Sequence, residues 1–167
     1  MYQKMVSKFK SINKTKRLIL ITLVALIVVN TAVIFLSSMK SVEESVEISE
    51  GVMAFIKRII DPNDKIDTEF FHHIVRKAAH FTEFFTLAMF YTVLRKKSEE
   101  YLPVQNTVMA VPFMTLLTAV LDEFIQSFTG RGTSVRDVML DFSGSVCGII
   151  ITTLIYNFIK KKTKNSR

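Results

Sequence analysis

The sequence predicts an all-α membrane protein: four transmembrane helices, N- and C-termini cytoplasmic, and an outer interfacial amphipathic helix. Three observations predict it. The apolar residues are gathered into long runs, of which Leu18–Leu36 has 19 residues and no charge. About 20 residues rising ~1.5 Å each span a hydrocarbon core of roughly 30 Å. The basic residues flank these runs in a one-sided way. Residues 1–17, 95–101 and 160–167 together carry 14 Lys/Arg and 2 acidic residues, and the rest of the chain carries 8 and 13. Finally, the charged residues near the runs occupy only the half away from the basic flanks.

At 167 residues the chain is one domain by length, with 49% hydrophobic residues and a net charge of +7. The positive charge sits beside apolar runs, where topology signals sit, so a nucleic-acid partner is not expected. The single cysteine, Cys147, excludes an intrachain disulfide and a cysteine-based metal site.

Residues 1–17 are basic and lack acidic residues. The first span, 18–36, is longer than the apolar core of a signal peptide (about 7–15 residues), and Ser37–Ser38 is a poor cleavage site, so an uncleaved helix is expected. Residues 37–77 form an acidic outer loop. Within it, over 48–60, Ile48, Val52, Phe55, Ile56, Ile59 and Ile60 fall on one helical face, with Lys57 and Arg58 on the other. This pattern suits a helix lying on a bilayer, or one packed on the rest of the outer domain. Asp61-Pro62-Asn63 ends it.

The second span, 78–94, follows Arg76-Lys77 and is followed by a polar link at 95–101. The third is 102–121. Pro103 suits its first turn, and Pro112 in mid-helix is expected to kink it. An outer loop at 122–137 contains two glycines, and Ser134 to Asp137 has the spacing of a capping box. The fourth span is 138–159, and 160–167 is a basic tail. Four spans place both termini on the side rich in Lys and Arg, which is the cytoplasm.

That topology brings the unusual polar residues to one surface. Arg76, His80 and Glu83 enter the second span there at i, i+4 and i+7, with Arg76 as a supporting charge. Asp122, Glu123 and Gln126 close the third, where Thr115, Thr118 and Asp122 share a face. Arg131 lies in the turn, and Asp137 and Asp141 open the fourth. Gly144 and Gly148 follow Asp141 at small-xxx-small spacing, which turns this face toward a neighbouring helix. Charges at membrane depth are expensive and mark candidate sites. His80 with Glu83 or Asp141 can form a general base and its orienting carboxylate. Arg131 and Arg136 can hold an anionic head group. The same groups can also serve only to tie helices together. His80, Glu83, Glu123 and Asp137 offer metal-type donors, but no HExxH or CxxC spacing is present, and no metal or cofactor is expected.

The run Arg76-Lys77-Ala78-Ala79-His80-Phe81-Thr82-Glu83-Phe84 resembles the K-x-x-H-x-x-E-aromatic signature of the VanZ-like family. Asp122-Glu123-x-x-Gln126, Gly130-Arg131, Ser134, Asp137 and Gly144–Gly148 resemble its second block, so the likeness covers 76–148. The chain departs from the family at Asp141, where members often carry Asn. The resemblance implies a small bacterial multi-pass protein of the cytoplasmic (inner) membrane, associated with resistance to teicoplanin, a lipidated glycopeptide. The expected function is the binding of a lipid-linked ligand in an outer-leaflet polar site, in antibiotic resistance or cell-envelope homeostasis. The alternative is a membrane-embedded hydrolase or transferase acting on a lipid head group or wall precursor. Expected partners are membrane lipids and a lipid-linked wall precursor or lipoglycopeptide.

Overall fold

Every regular element among the described residues is helical. The computed structural model describes residues 7, 9, 11–40, 54–61, 67–103, 107–129 and 132–165. Four long helices are α1 (Lys14–Ser38), α2 (Thr68–Tyr101), α3 (Ala110–Gln126) and α4 (Val135–Asn165), and a 3-10 turn, Ser127–Thr129, extends α3. Asn13 caps α1 by accepting from the Thr15 N–H at 3.1 Å, and Asp67 caps α2 by accepting from the Phe70 N–H at 3.0 Å.

The helices outrun the segments expected from the apolar pattern. The 95–101 stretch is not a link but the last turns of α2. Arg95 pairs with Glu99 at 2.9 Å and Lys97 with Glu100 at 3.1 Å, one helical turn apart, and these pairs carry the helix past its apolar part. Leu102 then goes extended, as a residue before proline must. Upstream, 68–77 is helical too, so α2 emerges well beyond 78–94.

The third helix begins at Ala110, not at Leu102, and continues through Gln126. Pro103 therefore lies outside it. Pro112 is the third residue of α3, where a backbone N–H has no acceptor within the helix, so the expected mid-helix kink does not arise. The 160–165 part of the basic tail also belongs to a helix, α4. Its last turn holds Lys162 and Lys164 near the unpaired carbonyls, a favourable arrangement for cations.

Of the expected amphipathic helix, 54–60 is helical, and Ile48 and Val52 lie outside the described residues. Phe55, Ile59 and Ile60 are exposed, while Lys57 Nζ donates to Thr68 Oγ1 at 2.8 Å, tying this piece to the start of α2.

Three helical stretches, Lys14–Ser38, Ala110–Thr129 and Val135–Asn165, are long and apolar enough to cross a membrane. The remaining long helix, α2, carries more polar groups and is the central one, packed against α1, α3 and α4. The core is Ile27 and Ile34 from α1, Phe84 and Leu87 from α2, and Ala119 from α3. Outward faces are apolar: Val28 and Val33 on α1, Phe113 and Val120 on α3, and Leu154 and Phe158 on α4 are all exposed. A soluble protein rarely leaves such continuous apolar surface in water, whereas lipid tails cover it at no cost.

Glycine sets the closest contact in the bundle. A Cβ on Gly144 would strike the Phe81 carbonyl oxygen, and one on Gly148 would strike that of Phe85 and crowd the Ala88 methyl. The α4 backbone thus lies directly on α2. Gly144→Leu should lower thermal stability in detergent by about 1–3 kcal/mol through overpacking, whereas Gly132→Ala, with open space around it, should leave melting unchanged. Equal melting of both variants would contradict the packing described.

Candidate functional site

The polar groups gather at one end of the bundle, where α1 and α3 finish and α4 begins. The register of α3 starts the site. Val111, Thr115, Thr118, Ala119, Asp122 and Gln126 lie on its buried face. The Thr115 and Thr118 hydroxyls donate to carbonyls of their own helix, to Val111 at 3.1 Å and to Met114 at 2.9 Å, so they need nothing from across the bundle. Asp122, one turn on, has no exposed surface and does reach across. Its Oδ1 accepts from the Ser38 hydroxyl at 2.5 Å, and its Oδ2 accepts from Gln126 Nε2 at 2.8 Å. Thr129 adds a weak bond to the Ser38 carbonyl at 3.4 Å.

His80 stands between two carboxylates. Its Nδ1 lies 3.8 Å from Glu83 Oε2 on the same helix and 3.9 Å from Asp122 Oδ2 on α3. Asp141, on α4, is 3% exposed. His80, Asp122 and Asp141 each offer one donor atom within 4.8 Å of the others, so three helices converge on one point. Asp141 also lies in the negative field of Asp122, Glu123 and Glu83 and in the positive field of Lys77.

Glu123 and Asp137 take other tasks. One Glu123 oxygen accepts the Ser134 backbone N–H, while Oε2 is buried with no hydrogen-bond partner among the described residues. Ser134 Oγ accepts from the Arg136 N–H at 3.2 Å, which caps α4. The predicted capping box is therefore closed from α3, because Glu123 occupies the N–H that Asp137 would have taken. Asp137 is instead paired with Lys77 across α2 and α4. Burial, with the neighbouring Arg76 guanidinium, lowers the Lys77 pKa, and the charges of Glu123 and Asp141 oppose that shift.

The sequence profile of the VanZ/LLP1 family matches residues 20–156. The chain belongs to this family. No match is found among curated proteins or among solved structures. The VanZ/LLP1 match extends beyond 76–148, chiefly toward the N-terminus, and takes in most of α1, whose Ser38 supports Asp122.

Of the residues predicted for the site, His80, Glu83, Asp122, Gln126 and Asp141 come together, and Glu123 and Asp137 border them. Arg131, with Gly130, lies outside the described residues. Arg76 was expected to supply the supporting charge, yet the cation that bridges helices is Lys77. Both cations neighbour His80 on α2, four and three residues before it, and the position of Asp137 on α4 selects Lys77. The lysine of the K-x-x-H signature was the available signal. Ser38 carried none, since a serine at the end of an apolar run has many ordinary uses.

The buried Ser38–Asp122 bond generates a prediction. Ser38→Ala leaves a fully buried Asp122 oxygen without its donor and should cost about 1–3 kcal/mol of stability. Ser37→Ala, one residue earlier and only half-buried, should cost nothing measurable. Thermal unfolding of the two variants in the same detergent decides it.

Proposed function

We propose that this VanZ-family membrane protein crosses the bilayer four times, with α2 as the central crossing and both termini cytoplasmic. Its polar end then binds the head group of a lipid-linked ligand at the outer face of the bacterial cytoplasmic membrane. The role is glycopeptide resistance of the teicoplanin type or cell-envelope homeostasis.

One observation carries this reading: the two ends of the bundle differ in chemistry. At one end lie the buried Asp122, Glu123, Gln126 and Asp141. At the other, Lys16 and Lys97 lie over the Tyr101 ring at 4.9 and 5.5 Å, and Lys96 and Lys97 lie over the Tyr156 ring at 5.9 and 5.3 Å. Tyrosine with lysine is the side-chain chemistry of a membrane interface, and an excess of Lys and Arg marks the cytoplasmic one. The polar end is rimmed by exposed Phe124 and Phe128, stacked edge to face with centroids 5.0 Å apart, and by exposed Met139. An apolar rim around a polar centre suits a ligand with an acyl tail and a polar head.

The test is a strain lacking the protein, complemented with wild type or with Asp122→Asn. Loss of function should raise sensitivity to teicoplanin more than to vancomycin, which has no acyl tail, and the variant should not restore resistance. Equal changes for both drugs, or none, would count against the binding role. Orientation is tested separately in a Cys147→Ala background. A membrane-impermeant maleimide should label Thr133→Cys in intact cells and Thr163→Cys only after permeabilisation. The reverse pattern would invert the topology.

The placement of His80 between Glu83 and Asp122 favours a second reading, acid–base hydrolysis or transfer at a lipid head group. Absence of turnover by wild-type protein on phosphorylated lipids would remove it.

A further inference from the structure

The convergence of His80, Asp122 and Asp141 has its own chemical logic, separate from any lipid. We propose that these three side chains bind one divalent transition-metal ion of the zinc or manganese kind. The donor set is one imidazole nitrogen and two carboxylate oxygens. Imidazole suits zinc, carboxylate suits manganese, and both ions accept the mixture. No spacing in the sequence announces the site, because each ligand comes from a different helix.

Two observations point to an ion over a plain acidic cluster. First, Asp141 is 3% exposed, and its polar contact among the described residues is through its backbone carbonyl, which accepts from Ser145 Oγ at 3.3 Å. Its carboxylate accepts no hydrogen bond there, yet it is directed to the point that His80 and Asp122 share. Keeping a buried carboxylate ionised in that condition costs several kcal/mol. Second, Asp122 is already oriented as ligating carboxylates are. Ser38 and Gln126 hold both of its oxygens, an outer shell of donors around a ligand.

The charge arithmetic agrees. Asp122, Glu123 and Glu83 all act on Asp141, and Lys77, the described cation whose charge opposes them, is already paired with Asp137. A dication at the common point adds to the partial offset that Lys77 supplies while paired with Asp137. Bonds of about 2.0–2.2 Å place ligand atoms roughly 3–4 Å apart, so donor atoms now within 4.8 Å of one another close on the ion by small side-chain rotations. Three protein ligands leave a position for water or a ligand oxygen, as in open zinc sites, with Glu83 beside it.

The test uses full-length protein purified in mild detergent, with zinc and manganese measured by mass spectrometry. Wild type should retain about one equivalent of ion after desalting. Chelator should lower its melting temperature, and re-added zinc or manganese should restore it. Asp141→Asn and His80→Gln should weaken retention at least about tenfold, the loss that follows removal of even an outer-shell partner, while eluting as monodisperse protein. Wild type that retains neither ion and melts identically with and without them overturns the proposal, as does full retention by Asp141→Asn. The wild-type result stands even where a variant fails to fold. No lipid enters the assay, so its failure and that of lipid binding are distinguishable.

Discussion

Asp122 is the residue on which the arrangement turns. It is fully buried, on a helix apolar enough to cross a membrane, and both of its oxygens are held by hydrogen bonds. In hydrocarbon no water can take over such a role, so partners must come from the protein itself. Ser38 provides one by ending α1 at the same level. Gln126 provides the other from one turn further along α3. The bond to Ser38 fixes how far α1 can slide along α3, and the proximity of Asp122 to His80 fixes the rotation of α2.

The glycines of α4 complete this geometry. With Gly144 and Gly148 seated on the α2 backbone, Asp141 is brought to the side of His80 and not out to lipid. The same close contact lets Lys77 reach Asp137 and lets the start of α4 sit under Glu123. Backbone approach, ion pair and helix cap are thus consequences of one packing choice. Among the polar groups that remain at this end are the buried carboxylates of Asp122, Glu123 and Asp141.

Much of this was legible in the sequence because helical periodicity is local. The common face of Thr115, Thr118 and Asp122 follows from spacing alone, and so does the inward turn of Asp141 above two glycines. The VanZ-like resemblance rested on short motifs in that same stretch. What was not legible depended on contacts between distant elements. Ser38 becomes a site residue only when α1 meets α3. Lys77 and Arg76 are adjacent cations, and only the position of α4 selects between them. The helix ends were misjudged for a different reason: apolar runs mark where a segment is buried, whereas caps and ion pairs such as Arg95–Glu99 decide where the backbone stops being helical.

The central claim is that side chains from separate helices form one coupled site. A double-mutant cycle on His80→Gln and Asp141→Asn, read by equilibrium unfolding in detergent, tests it most directly. Neighbours sharing a site should show an interaction energy of about 0.5–3 kcal/mol. Strict additivity of the two substitutions would mean that the residues do not meet, and would contradict the account.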